Sequence, residues 1–322
     1  MSDLPKSIAI KEEGPREGFQ IESAAIVTAR KVELIDALSE TGIRQMQIVS
    51  FVNPKKVPGM ADADEVVRRF NKKPGVEYSA LFFNTQGFDR ALGFADRLTV
   101  KGALPLCASE TFLRRNQNRT MAENIAALHE QAAMYKARGI AVNRGSVMAA
   151  FGCNFEGEIP PPRVVGLVKQ IFEIAAAHNL DIKEIALADT MGWANPSAVK
   201  RLISALREHF PTVRINLHLH DTRGMGLTNV YAGLEMGVDS FDSSVAGLGG
   251  CPFARHRGAA GNVCTEDLVL LCDEIGIATG IDLERMIETA RLAQTIVGHP
   301  LPGHVMQGGS LAALRAKTGS AA

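Results

Sequence analysis

The sequence predicts a (β/α)8 TIM barrel, an α/β fold in which eight parallel strands alternate with helices. Strand-like and helix-like segments alternate eight times along the chain. The length of 322 residues suits one barrel, because a barrel uses about 250 residues or more as a single domain. Polar residues gather where the predicted strands end, which is the face on which barrels carry their sites.

The first four strand–helix units are predicted between residues 7 and 138. Strands are expected at 7–12, 44–51, 78–83 and 97–101, and helices at 62–71, after Gly87 and at 121–138. Thr28 can cap the first helix, which Gly42 ends. The polar segment 14–20 is predicted to be a loop after the first strand.

The last four units are predicted between residues 146 and 280. Strands are expected at 146–151, 184–188, 213–217 and 239–245, with helices at 164–179, 197–210, 227–236 and 265–275. We expect a single domain over 1–322, with the barrel at about 7–280 and a helical extension at 281–300. The tail 301–322 contains Gly, Ser and Ala and is expected to be loosely ordered and flexible.

An open doubly wound sheet is the alternative architecture. It requires a Gly-x-Gly-x-x-Gly motif after the first strand and an acidic residue near the end of the second strand. Neither occurs in that form. The barrel is therefore the preferred prediction.

Charge and composition narrow the classes of function. The chain has 35 basic and 35 acidic residues, so its formal net charge is zero and a nucleic-acid partner is not expected. No apolar run approaches the roughly 20 residues that span a bilayer, and the first residues show no secretory or transit signal. We expect a cytoplasmic protein without a membrane partner. Its five cysteines are scattered without Cys-x-x-Cys spacing, which predicts reduced thiols.

His218 and His220 are the strongest candidates for metal ligands. They lie two residues apart at a predicted strand end, so both imidazoles point to the same face. Satisfied polar residues at a strand end are the alternative interpretation, but the polar turn 221–226 that follows favours ligation. Two imidazoles with oxygen donors favour Mg²⁺ or Mn²⁺ over structural zinc, which prefers thiolates.

Four further residues suit chemistry at such a metal. Glu17 and the amide of Asn262 offer oxygen donors, and Arg16 offers positive charge for an oxyanion. Cys251 follows the glycine-rich segment 247–250, where a thiol on a mobile loop could donate a proton. A metal, an arginine and a thiol together suit carbon–carbon cleavage through an enolate.

Several motifs resemble the 3-hydroxy-3-methylglutaryl-CoA lyase family, in the same order and spread over about residues 7–290. The similar segments are 13–20 (EGPREGFQ), 50–55 (SFVNPK), 60–62 (MAD), 189–192 (DTMG), 218–222 (HLHDT), 242–252 (DSSVAGLGGCP) and 261–267 (GNVCTED). The segment 242–252 is the most specific of these. The resemblance implies a metal-dependent TIM barrel that splits a 3-hydroxyacyl-CoA into a keto acid and an acyl-CoA.

The resemblance also implies a role for each candidate residue. The metal ligands would be Glu17, His218, His220 and Asn262. Arg16 would lie beside the acyl carbonyl and Cys251 would protonate C2, while the general base is left open between His218 and Asp189. Gln47 and Ser50 lie in the predicted second strand and Asn84 follows the third, and all three are predicted to contact the acyl-CoA thioester substrate. A homodimer or higher homo-oligomer is also expected.

Each of these residues also has a simpler interpretation. Arg16 and Glu17 could form a surface ion pair, and Asp189 could cap a helix. Cys251 could be an inert buried thiol, and Asn262 could serve only to form a turn. The positions at strand ends and beside glycines favour function for the Arg16–Glu17 dipeptide and for Cys251.

Three departures from the family pattern point to an altered substrate. After the arginine the family usually has aspartate, whereas this chain has Glu17. At the end of the second strand the family usually has glutamate, whereas this chain has Gln47. The segment 251–262 carries extra residues, and its stretch 255–257 reads Arg-His-Arg. A related lyase, such as a citramalyl-CoA lyase, and a Claisen-type condensing enzyme therefore remain alternative functions. An amidohydrolase is disfavoured because its His-x-His lies on the first strand, and intact ligand types disfavour a non-catalytic barrel.

Changing Cys251 to serine tests whether its thiol is chemical or structural. We expect Cys251→Ser to leave the thermal midpoint nearly unchanged and to lower turnover about 10²-fold or more, the usual scale for a lost acid–base group. Thermal melting and steady-state kinetics measure the two effects. A large loss of stability with normal turnover would support the inert thiol.

Overall fold

The computed structural model describes residues 4–250 and 261–319 and contains an eight-stranded parallel sheet. The strands are β1 (Ala9–Glu12), β2 (Gln45–Ser50), β3 (Glu77–Leu81), β4 (Gly102–Cys107), β5 (Val142–Met148), β6 (Glu184–Ala188), β7 (Arg214–His218) and β8 (Ser240–Ser243). Their order in the sheet is β3-β2-β1-β8-β7-β6-β5-β4, so the first strand pairs with the last. The predicted barrel topology is confirmed.

Thirteen α-helices accompany the strands in the described part of the chain. They are α1 (Gly14–Ile21), α2 (Thr28–Ser39), α3 (Ala63–Arg69), α4 (Thr85–Leu92), α5 (Glu110–Gln117), α6 (Met121–Ala137), α7 (Pro161–Ala177), α8 (Pro196–His209), α9 (Gly226–Glu235), α10 (Thr265–Glu274), α11 (Leu283–Val297), α12 (Val305–Gly308) and α13 (Leu311–Thr318). A short antiparallel hairpin, Gly152–Cys153 with Gly157–Glu158, follows β5.

Helices α6 and α8 begin at residues whose side chains accept hydrogen bonds from free backbone amides. Thr120 and Glu123 form a reciprocal capping box at α6, and Asn195 caps α8. Thr28 does not act as the predicted cap. It is the first residue of α2, and its hydroxyl donates to Asp62 Oδ2 at 2.8 Å. The side chain therefore joins α2 to the start of α3.

The segment 14–20 is helical and is not the loop that its polar sequence predicts. Pro15 lies in the first turn of α1, where a missing amide hydrogen costs nothing. Glu12 Oε1 accepts from the amide of Gly14 at 2.7 Å and thereby satisfies one free donor at the helix start. Arg16 and Glu17 consequently project from a rigid helical turn.

The fourth and fifth strands lie away from their predicted positions. The fourth was expected at 97–101 but is Gly102–Cys107, and the fifth begins at Val142, before the predicted 146. Pro105 lies within the fourth strand and disguises it in the sequence, since proline is rare in central strands. It is tolerated because β4 has a ladder partner only in β5 among the described residues.

The C-terminal tail is helical over much of its length, where the sequence predicts a loosely ordered segment. Leu301 is buried, Met306 is buried within α12, and α13 follows. Asp267, at the start of α10, accepts from the amides of His304 (3.1 Å) and Val305 (2.8 Å). These bonds tie the tail to the barrel.

The core is one large apolar cluster that fills the barrel and the space beneath its helices. A smaller cluster lies at the carboxyl ends of β4, β5 and β6, and its buried members are Cys107, Phe112, Leu113, Ala149, Cys153 and Met191. Within residues 4–250 and 261–319, no helix combines the length and the apolar character needed to cross a bilayer.

Removing the Asp267 carboxylate should measure how firmly the tail is held. We expect Asp267→Ala to lower the free energy of unfolding by about 1–3 kcal/mol, because two backbone donors lose their acceptor. Urea unfolding measures the change. Glu274→Ala, which breaks the exposed ion pair between α10 and Arg315, is the control and should have a much smaller effect. Equal losses of unfolding free energy in the two variants would show that the hydrogen bonds from the tail amides to Asp267 contribute no more than an exposed ion pair.

Candidate active site

Three ligand-type side chains converge at the carboxyl ends of β1 and β7. His218 ends β7 and His220 follows two residues later, while Glu17 projects from α1. One donor atom from each lies within 4.8 Å of the others. The shared strand face predicted for the two histidines therefore exists in the fold.

Asn262 completes this set from the second described range, which begins at residue 261. It forms an isolated antiparallel bridge with His220, and its side chain is buried. Its amide nitrogen donates to Glu17 Oε2 and to Leu248 O (3.3 Å), whereas its buried Oδ1 has no hydrogen-bond partner. A buried acceptor without a donor is costly unless a cation or a polar group meets it.

The two imidazoles are arranged as metal ligands. The Nε2 atoms of His218 and His220 lie 3.2 Å apart, so they face a common position. Nδ1 of His218 lies 3.3 Å from Asp242 Oδ2, the kind of partner that fixes the ring of a metal-bound histidine. A carboxylate, two imidazoles and an amide oxygen suit a divalent ion with open coordination positions, so the residues present fit the metal that the sequence predicts.

Charges around His218 hold a proton on its ring when no cation competes. Burial lowers the pKa of His218, but Glu17, the hydrogen bond to Asp242 and Glu13 raise it to about 9. The same carboxylates would attract a divalent ion, which must displace that proton to bind. The site therefore has the charge that a cation requires.

Glu17 is ionised at neutral pH in spite of its burial. Burial raises the pKa of its carboxyl, but Arg16, His218 and His220 outweigh that effect and lower it to about 2. Arg16 Nη1 donates to Glu17 Oε1 at 2.6 Å. The carboxylate is thus available as a ligand at any pH near neutrality.

Arg16 is held by a different side chain at each guanidinium nitrogen. Nε donates to Gln47 Oε1 at 2.5 Å, Nη1 donates to Glu17, and Nη2 donates to Glu13 Oε2. Burial disfavours the charged guanidinium, but Glu13 and Glu17 outweigh this and raise the pKa of Arg16. Arg16 is therefore a fixed, permanent cation beside the ligand set, not a surface ion pair.

A second set of charged residues lies beneath the first, and the sequence did not reveal it. Asp242 accepts from Arg144 Nη2 at 2.8 Å and from Asn216 at 3.1 Å, and Lys11 Nζ lies 2.6 Å from Glu13 Oε1. Burial raises the pKa of Asp242, but Arg144 and Lys11 lower it well below its usual range. Alternation along β1 and β8 could have indicated that Lys11, Glu13 and Asp242 face the barrel interior.

Asp189 follows β6 and lies in the same rim. Its Oδ1 accepts from the amide of Trp193 at 2.7 Å, and its buried Oδ2 has no partner. Burial raises the pKa of Asp189 to about 6, against the hydrogen bonds from the amides of Trp193 and Ala194. The carboxylate caps a turn and not a helix, because α8 starts at Pro196 with Asn195 as its cap.

The predicted substrate contacts occupy different environments. Gln47 touches Arg16, and Ser50 is buried with its hydroxyl unpartnered at the end of β2. Asn84 is exposed, and its side chain accepts from the amide of Gly87 as the cap of α4. A helix cap accounts for Asn84, and no contact joins it to the ligand set among the described residues. Its role in substrate binding stays a prediction.

The glycine-rich segment packs closely against Glu17 and Asn262. A Cβ on Gly249 would lie 2.6 Å from Glu17 Cβ, and one on Gly261 would lie 1.7 Å from Gly249 O. Gly249 also has a φ of +97°, a backbone conformation that residues with a side chain rarely adopt. Cys251 and the basic stretch 255–257 lie outside the described residues, so their predicted roles stay predictions.

Comparison with known proteins identifies the family. A family model described as HMGL-like matches residues 7–293. The chain belongs to this family. Hydroxymethylglutaryl-CoA lyase of Bos taurus mitochondria is 41% identical over 286 residues, which cover 88% of this chain and 84% of that protein. The chain is accordingly a lyase of the hydroxymethylglutaryl-CoA lyase type, as the resemblance implied.

Solved structures of HMGL-like relatives agree over nearly the whole chain. HMG-CoA lyase from Bacillus subtilis has a TM-score of 0.86 and 36% identity, covering 96% of this chain and 99% of that one. HMG-CoA lyase from Acinetobacter baumannii, in complex with coenzyme A and 3-methylmalate, has a TM-score of 0.85 and 36% identity. That alignment covers 97% of this chain and 98% of the other.

Loss of one imidazole tests the ligand set without any substrate. We expect His220→Ala to weaken Mn²⁺ binding by about 10²-fold or more, because the ion loses a direct donor. Isothermal titration calorimetry measures the affinity, and His209→Ala, at the exposed end of α8, is the matched control. Unchanged Mn²⁺ affinity in His220→Ala would show that His220 is not a ligand.

Proposed function

We propose that this lyase is divalent-metal-dependent and cleaves a 3-hydroxyacyl-CoA, either 3-hydroxy-3-methylglutaryl-CoA or a close analogue, into acetyl-CoA and a keto acid. The buried set of Glu17, His218, His220 and Asn262, with its unpartnered amide oxygen, carries the proposal. The relatives described above support it, because they are hydroxymethylglutaryl-CoA lyases and one of them was solved with coenzyme A.

The metal we propose is Mg²⁺ or Mn²⁺, held by Glu17, His218, His220 and Asn262. Hard divalent ions of this kind accept mixed oxygen and imidazole donors and keep positions open for substrate oxygens. When bound, such an ion supplies Lewis acidity that makes a substrate hydroxyl more acidic.

Asp189 is the base that we propose for the 3-hydroxyl proton. Its Oδ2 is buried without a partner, and its pKa of about 6 suits proton acceptance near neutral pH. His218 is less suited, because Asp242 and His220 engage both of its ring nitrogens. As the proton moves to the base, the C2–C3 bond breaks and its electron pair forms the thioester enolate.

Arg16 and Cys251 complete the reaction under this proposal. A guanidinium has five N–H donors, and contacts with Gln47, Glu17 and Glu13 engage three of those of Arg16. The other two can donate to the enolate oxygen, which is stabilised most when the donors are fixed in advance. The Cys251 thiol then gives its proton to C2, which yields acetyl-CoA, and solvent restores both side chains.

Assay of several thioesters tests this function most directly. The purified protein, with Mg²⁺ or Mn²⁺, is incubated with 3-hydroxy-3-methylglutaryl-CoA, citramalyl-CoA and 3-hydroxyacyl-CoAs that carry longer branches. Release of acetyl-CoA and a keto acid, abolished by EDTA, is the expected result. No cleavage of any thioester, or net condensation of acetyl-CoA with a keto acid, would contradict the proposal.

The departures at Glu17 and Gln47 should influence which thioester is preferred. Glu17 is one methylene longer than the usual aspartate, so it changes the space beside the metal, and Gln47 removes a charge next to Arg16. We expect the Glu17→Asp, Gln47→Glu double variant to shift the preference toward 3-hydroxy-3-methylglutaryl-CoA by about tenfold, the effect of roughly 1.4 kcal/mol. Ratios of kcat/KM measure it, and an unchanged ratio would show that both departures are neutral.

Two expectations from the sequence stay predictions. The relative from Bos taurus is described as mitochondrial, so family membership alone does not assign a compartment to this chain. A cytoplasmic location and a homodimer or higher homo-oligomer are proposed on the earlier grounds only. Light scattering of the purified protein would measure the second.

A further inference from the structure

Glu13 is a buried carboxylate for which the mechanism above has no task. It occupies the cap position of α1, yet its side chain makes no capping bond. The carboxylate instead accepts from Lys11 Nζ at 2.6 Å and from Arg16 Nη2, and its Oε2 lies 3.7 Å from Nδ1 of His218. Its side chain is only 4% exposed.

The partners of Arg16 differ in what they can contribute to its position. Gln47 is neutral, and Glu17 must share its negative charge with a metal if it acts as a ligand. Among the described residues, Glu13 is therefore the carboxylate that contacts Arg16 and does not belong to the ligand set. A charge-assisted bond is about twice as strong as a neutral one, so Glu13 should dominate the orientation of the guanidinium.

We propose that Glu13 is a positioning residue that holds the Arg16 guanidinium in the orientation that stabilises the enolate. The proposal rests on the function proposed above. Under this proposal Glu13, at the end of β1, supplies the negative charge that the neutral Gln47 on β2 does not provide. Nδ1 of His218 faces the same carboxylate, so Glu13 also adds to the field that orients this ring.

The competing explanation is that Glu13 serves only to neutralise the charge of Lys11, and this explanation predicts different results. If Glu13 were only the counter-ion of Lys11, removing both charges together would restore the enzyme. If Glu13 orients Arg16, the double change would leave Arg16 Nη2 without its partner and turnover would stay low. Returning a carboxylate to Arg16 from position 47 would instead restore turnover, since Gln47 Oε1 already lies 2.5 Å from Nε.

The experiment compares Glu13→Gln, Lys11→Met/Glu13→Gln and Glu13→Gln/Gln47→Glu with the wild type. We expect kcat to fall about 10- to 100-fold in Glu13→Gln, the usual scale for a residue that orients another, with KM changed less than about threefold. Mn²⁺ affinity, measured by calorimetry, should stay within about tenfold of the wild type, which places the loss at Arg16 and not in the ligand set.

The two double variants decide between the explanations. We expect Glu13→Gln/Gln47→Glu to recover most of the turnover and Lys11→Met/Glu13→Gln to recover none. If Glu13→Gln does not fold because Lys11 is left unpaired, the Lys11→Met/Glu13→Gln variant supplies the same comparison. Asp62→Asn is the matched control. Asp62 Oδ1 lies 2.6 Å from Nζ of the buried Lys31, and this pair contacts none of Glu17, His218, His220 and Asn262 among the described residues, so kcat should not change.

Three results would overturn the role of Glu13: normal turnover in Glu13→Gln, recovery in Lys11→Met/Glu13→Gln, or no recovery in Glu13→Gln/Gln47→Glu. Each leaves the proposed function intact, because the wild type would still cleave its thioester. A wild type that cleaves no thioester would instead overturn the proposed function and this role with it.

Discussion

The site depends on the ion pair between Arg16 and Glu17 at the start of α1. The pair joins the first strand–helix unit to the last part of the barrel, because Glu17 also accepts from Asn262 and lies 3.8 Å from Nε2 of His218. Buried charges destabilise a protein unless each is paired, and here Lys11, Arg16 and Arg144 each have a carboxylate in contact. The arrangement places a fixed cation and an ionised carboxylate side by side.

Neighbours, more than burial, decide what each buried carboxyl does. Glu12 and Glu17 are both buried and lie only five residues apart, yet burial raises the pKa of Glu12 to about 7. Glu12 has hydrogen bonds from Thr265 and two amides, and no cation among the described residues contacts it, so it serves to join β1 to α10. Arg16 and the two histidines give Glu17 the opposite behaviour and make it suitable as a ligand.

The sequence predicts the parts of this protein that depend on local pattern. The alternation of strands and helices predicts the barrel, and period-two spacing predicts that His218 and His220 share a face. Prediction from the sequence fails where a contact from elsewhere in the chain overrides the local signal. Segment 14–20 looks like a loop, but Glu12 satisfies the first amide of α1, and the tail looks unstructured, but Asp267 binds its backbone.

Long-range pairing also explains why part of the site escaped prediction. Glu13 and Asp242 begin two of the family-like segments, 13–20 and 242–252, but the sequence assigned neither of them a role. Their importance comes from partners at Arg16, Arg144 and His218. Asn262 meets Glu17 across 245 positions of sequence, so only the resemblance favoured it as a ligand over a turn-forming residue. Asn84 shows the reverse case, since its place after a strand suggested a substrate contact while its side chain caps α4.

Anomalous diffraction from crystals grown with Mn²⁺ would test the central claim most directly, since it locates the ion independently of any substrate. We expect one strong peak from an ion coordinated by Glu17, His218 Nε2, His220 and the Oδ1 of Asn262, at about 2.0–2.3 Å from each donor. A site without a peak at saturating Mn²⁺, or an ion bound elsewhere with Asn262 Oδ1 still unpartnered, would contradict it.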